Sequence, residues 1–253
     1  MIRDALIGLL LPFLGTSLGA AAVLLLKGSM PRKLGTFLNA AAAGIMAAAS
    51  VFSLLLPAMQ EAARQGRTPW LFATVGYVLG TGLLWVWDGV SKRMECGRGV
   101  GHSTRMLVLS VCLHNVPEGM AVGAAYAGAL SGNPTVTAVG AFSLSLGIAL
   151  QNLPEGAIIS LPLHAAGMER RRAFACGVLS GASEPIAGAL TVLLSRAAVP
   201  ALPLLLSFAA GAMGYVVCFE LLPETAKERP RIVGILSVLG GFALMTAMDV
   251  LLG

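Results

Sequence analysis

The sequence predicts an all-α membrane protein of eight transmembrane helices. They are laid out as a 3+2+3 inverted repeat, with both termini outside. Three observations carry this. The 253 residues are 57% hydrophobic and 11% charged, with a mean hydropathy of +0.83; a soluble domain carries about a quarter charged residues. Eight apolar stretches are long enough for a spanning helix, which needs about 20 residues. Two near-identical words, His-Asn-Val-Pro-Glu-Gly at 114–119 and Gln-Asn-Leu-Pro-Glu-Gly at 151–156, fall on consecutive stretches that must run in opposite directions.

The stretches cover roughly 5–26, 35–59, 69–91, 105–130, 135–163, 173–195, 200–222 and 232–252. The first is longer than a signal-peptide core, and Asp4 cancels the charge of Arg3, so it reads as a span. The second carries Ala42-Ala43-Gly44-Ile45-Met46 and then Ser53-Leu54-Leu55-Leu56-Pro57. The third holds Asp88 near its inner end, and the 92–104 loop after it holds His102. The fourth and fifth carry the two words. The sixth, behind the run Arg170–Arg172, contains Ser183-Glu184-Pro185. The seventh repeats the second, with Ala209-Ala210-Gly211-Ala212-Met213 and then Glu220-Leu221-Leu222-Pro223. The eighth ends near Asp249, read as interfacial. Connections this short leave a single polytopic domain over 1–253.

Orientation follows from Lys and Arg in alternate loops. One set of loops holds 13 of them and the other 4, so the 13 side is cytoplasmic in the cell's inner (plasma) membrane. The net charge of +5 is spread over these loops, which excludes a nucleic-acid-binding face. The four cysteines have no CxxC spacing and imply no disulfide framework.

The words hold the chemistry. Between Met106 and Met168 there is no Lys or Arg, and the only acids are Glu118 and Glu155. Ionisable groups so deep in an apolar run mark a site or pathway. On a helix, residues three and four apart share a face, so His114, Asn115 and Glu118 form one wall, and Gln151, Asn152 and Glu155 the facing one. Pro117 and Pro154 free the carbonyls of Leu113 and Leu150, while Gly119 and Gly156 permit close helix approach. Facing carboxylates need a divalent cation between them, or else one takes a proton. Glu184 is the third wall of the same cavity. An imidazole among carboxylates and amides fits a first-row divalent ion, and His114 with Met46 favours the softer end.

Plainer readings stand beside these. The words could be helix–helix glue, although no internal cation pairs with the acids. Met46 and Met213 would ordinarily be core filler among 11 methionines. His164 reads as a helix-end residue and His102 as a loop residue, though with Glu95 and Cys96 it could receive released metal. Asp88 is a candidate for the exit path. Inverted repeats around a midplane site mark transporters. The alternatives are a cation/proton exchanger of another inverted-repeat fold and an intramembrane metalloenzyme, which the missing HExxH spacing disfavours.

At these residues the chain resembles the ZIP (Zrt/Irt-like) family of divalent-metal transporters, the GufA-like bacterial branch in particular. The resemblance implies a carrier, often a homodimer, importing Zn²⁺, with Cd²⁺, Fe²⁺ and Mn²⁺ as further candidates. It implies a two-metal site. His114, Glu118, Gln151, Glu155 and Met46 form the first position; Asn115, Asn152 and Glu184 complete the second, with Glu118 and Glu155 bridging. It places Ser53 and Gln60 towards the outer mouth, and Met213 and Glu220 on the path to the cytoplasm. Gln151 opens the second word where the family's pattern has His. Asn152 stands where some relatives have Asp, which removes a charge from the second position. The 92–104 loop lacks the His-rich tract of many eukaryotic members.

Overall fold

A computed structural model describes residues 2–25, 32–95, 100–132, 136–226 and 231–252. The side chains of Glu95, His102 and His114, and the whole of Cys96, lie outside what is described, so the candidate receiving group falls there too. Every described element is a helix. In chain order these are α1 (Ile2–Ala20), α2 (Ala22–Leu25), α3 (Arg32–Ala48), α4 (Leu56–Arg64), α5 (Pro69–Glu95), α6 (Val100–Leu130), α7 (Ala138–Ala165), α8 (Arg170–Gly181), α9 (Ser183–Leu193), α10 (Ser195–Val216), α11 (Leu222–Ala226) and α12 (Arg231–Leu252). Two π-helical segments, Ala49–Leu55 and Val217–Leu221, join α3 to α4 and α10 to α11. Among the described residues, seven stretches are long and apolar enough to cross a bilayer: Arg3–Leu25, Lys33–Arg64, Pro69–Val90, Ala138–Ala165, Arg170–Leu193, Val199–Leu221 and Ile232–Leu251. The 31-residue α6 carries the first word. The protein is a multi-pass membrane protein.

The irregularities have local causes. Pro57 and Pro223 each sit at the second residue of the helix that follows a π segment. A proline donates no hydrogen bond and its ring crowds the preceding turn. The chain absorbs this by widening to a π turn just upstream. Ser50 adds to the effect by donating to the Met46 carbonyl at 2.7 Å. The two π segments occupy matching places in the echoed second and seventh stretches. The stretch expected to end at 59 runs on to Arg64, because Glu61 is buried and clamped by Arg64 at 2.6 and 2.7 Å. The sixth stretch breaks at Ala182, where Pro185 leaves the Gly181 carbonyl without its helical donor and Ser183 bonds the Ser180 carbonyl at 3.1 Å.

Packing follows the inversion. α1 lies along α7, and α6 along α9; α3 lies along α12, and α10 along α5. Exchanging the first three stretches with the last three, and the fourth with the fifth, turns each pair into the other. Two bundles result, one of α1, α6, α7, α8 and α9, the other of α3, α5, α10 and α12. They meet chiefly where α6 packs on α10 and α3 on α7. That seam is built from small buried residues, among them Ala48, Ala49, Ala121, Ala124, Ala209 and Ala210. Close approach of this kind replaces the hydrophobic drive that lipid removes. Outward faces stay apolar, with Val78, Trp85, Leu236 and Leu239 exposed.

Candidate metal centre

Glycine fixes how tightly the central helices sit. A β-carbon at Gly119 would strike the backbone of Glu184, and one at Gly156 would strike the backbone of Thr16. The first word is thus pressed against α9 and the second against α1. Each brings its polar side chains into the interior of the first bundle.

There Asn115 and Asn152 are fully buried, and Glu118, Gln151 and Glu184 are within 3% of it. Gln151 Nε2 donates to Glu118 Oε1 at 2.8 Å, joining the two words. Asn115 Nδ2 donates to Glu184 Oε1 at 3.0 Å and to the Ser180 carbonyl at 3.3 Å. The Thr16 hydroxyl also reaches Glu184 Oε1, at 3.1 Å. Asn152 Nδ2 points to the Pro12 carbonyl at 3.4 Å. Glu155 is half-buried, one turn from Gln151. Glu118 and Glu155 are close enough for their charges to repel, and Glu184 feels both.

Each amide nitrogen therefore has an acceptor, while one set of oxygens has no donor. Asn115 Oδ1, Glu118 Oε2, Gln151 Oε1, Asn152 Oδ1 and Glu184 Oε2 are buried without a hydrogen-bond partner. Each orphaned buried acceptor costs about 1–3 kcal/mol. Five of them around repelling carboxylates is an arrangement that a cation relieves. Among the described residues, no three His, Cys, Asp or Glu side chains form a group that could hold a metal ion alone. The acids are interleaved with amides instead.

Two helical turns beyond Glu118, about 10 Å along α6, a cavity of about 280 Å³ opens. Ser53, Gln60, Ala125, Thr137, Leu144 and Asp249 are among its lining residues. Ser53 donates to Asp249 Oδ1 at 2.8 Å. Between cavity and carboxylates lie buried Ala121, Val122 and Ile148, in one apolar cluster with Met46 and Met213.

The family profile described as ZIP Zinc transporter matches residues 91–249, more than half of the chain. The chain belongs to the ZIP family. It is 30% identical to Zinc transporter ZIP11 of Xenopus tropicalis, over all of this chain and 98% of that protein. It is 33% identical to Zinc transporter GufA of Myxococcus xanthus, over 80% of this chain and 81% of the relative. To Zinc transporter ZIPB of Bordetella bronchiseptica it is 34% identical, over 95% and 79%.

In this ZIP chain the remaining sequence candidates are scattered. Ser53 and Gln60 share the cavity, as their common helical face demands. Met46 and Met213 are buried in the seam. Asp88 accepts from the Tyr215 hydroxyl at 3.0 Å, and Tyr215 stacks on Phe219. Glu220 lies exposed on the second π segment. His164 closes a helix end, with Nδ1 2.8 Å from the Met168 carbonyl and Nε2 accepting from Arg170 at 3.3 Å. Two further residues join these groups. Asp249, read as interfacial, also lines the cavity and accepts from Ser53; an acid with no basic neighbour near the end of a span was the available signal. Thr16 touches Glu184, and no sequence signal marks a lone threonine in an apolar helix.

Proposed function

We propose that the chain imports divalent metal ions across the cell's inner (plasma) membrane into the cytoplasm. Zn²⁺ is the foremost substrate, with Cd²⁺, Fe²⁺ and Mn²⁺ as further ones. Family membership supports the transport chemistry, and the relatives named above are zinc transporters. The observation that carries the reading for this chain is the set of five buried, uncommitted oxygens between α6, α7 and α9. In this reading His114, Glu118, Gln151, Glu155 and Met46 hold one ion. Asn115, Asn152 and Glu184 hold a second, with Glu118 and Glu155 shared. Amide oxygens keep the site from being a deep electrostatic trap, so ions can leave.

Ions enter past Ser53, Gln60 and Asp249, and they leave past Met213, Glu220, Asp88 and His102. Alternating access comes from motion of the first bundle, which holds every proposed ligand but Met46, against the second. Eight spans with outside termini, and a homodimer, complete the proposal.

Uptake of a panel of divalent ions by purified, reconstituted protein tests it. Saturable Zn²⁺ uptake is expected, and Glu118→Ala or Glu155→Ala abolishes it while the protein still inserts and elutes normally. Normal uptake by both variants ends the bridging assignment.

A further inference from the structure

Thr16 occupies a place that the inversion makes informative. The glycine of the first word is pressed against the backbone of Glu184, and the glycine of the second against the backbone of Thr16. Since the words exchange under the pseudo-two-fold, Thr16 is the counterpart of Glu184. One half of the molecule contributes a carboxylate there, and the other a hydroxyl. The two counterparts also touch, with Thr16 Oγ1 3.1 Å from Glu184 Oε1.

The surroundings hold Thr16 in that contact. It is fully buried. Gly181, at the end of α8, leaves the room it needs, because a β-carbon there would lie 2.8 Å from Thr16 Cβ and 3.0 Å from its Oγ1. The hydroxyl has two acceptors within reach, the Pro12 carbonyl at 3.4 Å and the carboxylate at 3.1 Å. A single proton goes to the nearer one, the carboxylate, and the bond is the stronger when that group is ionised, as metal binding requires. With Asn115 already on the same oxygen, Oε1 is saturated. Oε2 is the one left over.

We propose that Thr16 is a positioning residue for metal binding. By pinning Glu184 Oε1 from the repeat-equivalent place on α1, it fixes the rotation of the carboxylate and turns Oε2 towards the ion. The inference rests on the metal-import reading, since it names what aims one of that site's ligands. α1, which supplies no proposed ligand, thereby becomes part of the site.

Thr16→Val keeps the shape and removes the donor; Thr16→Ser keeps the donor and removes a methyl. Zn²⁺ uptake and equilibrium Zn²⁺ titration of the detergent-purified protein are measured on both, and on Thr16→Val combined with Glu184→Gln. Loss of a hydrogen bond to a charged group predicts about tenfold weaker Zn²⁺ binding and an about tenfold higher KM in Thr16→Val, with Vmax within about twofold. Thr16→Ser restores both. In the Glu184→Gln background Thr16→Val adds no further loss, because the two act through one contact.

Wild-type KM and affinity in Thr16→Val overturn the proposal, as do losses that add in the double variant. Equal defects in the Val and Ser variants overturn it too, since they assign the effect to packing. Should Thr16→Val not fold, Thr16→Ser and Glu184→Gln are compared with wild type; a Ser variant as weak as Glu184→Gln then refutes the role of the donor. Absence of uptake by the wild-type protein would instead strike the import reading itself.

Discussion

Asn152 is where the charge of the proposed site is decided. Glu118, Glu155 and Glu184 bring three negative charges, and two divalent ions would bring four positive ones. Asn152→Asp removes the imbalance, so the second ion is expected to bind about tenfold more tightly, a modest fraction of what one charge is worth in a poorly solvated interior. The same change sets a carboxylate against the Pro12 carbonyl, to which the amide N–H now points. The metal-free variant should therefore melt below wild type, and added Zn²⁺ should raise its melting temperature by more. Calorimetric titration and thermal scanning read the two arms; an unchanged affinity removes Asn152 from the second position. The residues legible in the sequence were those whose presence in lipid is costly. Glu118, Glu155 and Glu184 stand out because an apolar run tolerates so few acids, and the asparagines are legible because they belong to the repeated words. Thr16 was illegible because a threonine costs a membrane helix little, wherever its hydroxyl goes.

At the scale of elements, glycine decides whether α6 can lie where α9 needs it. A side chain at Gly119 meets the backbone of Glu184, which cannot move aside as a flexible side chain would. Gly119→Ala is expected to force the helices apart, lower the melting temperature by several degrees and remove most Zn²⁺ uptake, at a cost of about 1–3 kcal/mol. Gly82 on α5 has nothing within 4 Å of the place a β-carbon would take. There Ala costs nothing in packing and raises helix propensity by up to about 1 kcal/mol, so Gly82→Ala should keep uptake and melt no lower. Equal behaviour of the two variants would contradict the close-packing account. The sequence revealed the apolar helices, because hydropathy survives averaging over a window, and the echo between the two halves, because the words repeat. It did not reveal the π segments before Pro57 and Pro223, nor the break at Ala182. Those depend on how one widened turn or one missing donor is absorbed, which leaves hydropathy unchanged.

The whole molecule joins two bundles along a seam of alanines, and only Met46 among the proposed ligands stands on the far side of it. A site carried in one body can face the two sides of a membrane in turn if that body moves against the other, and packed interfaces move between discrete positions rather than deforming smoothly. Gly128 on α6 offers a place to stop this. A β-carbon there would lie 3.3 Å from Leu202 Cδ1 on α10, across the seam, and 3.3 Å from Val136 Cβ, just ahead of α7 in its own bundle. Gly128→Cys combined with Leu202→Cys should, once oxidised, lower Zn²⁺ uptake at least about tenfold, and a reductant should restore it. Gly128→Cys combined with Val136→Cys carries the same first substitution and closes a link within one bundle. Val136 borders the entry cavity, so each oxidised protein is compared with its own reduced form, and uptake should fall far less than through the cross-seam link. Zn²⁺ binding at equilibrium should survive both links, since neither touches a ligand. Undiminished uptake through the cross-seam link, with the disulfide verified by mass spectrometry, would mean that ions pass without relative motion of the bundles.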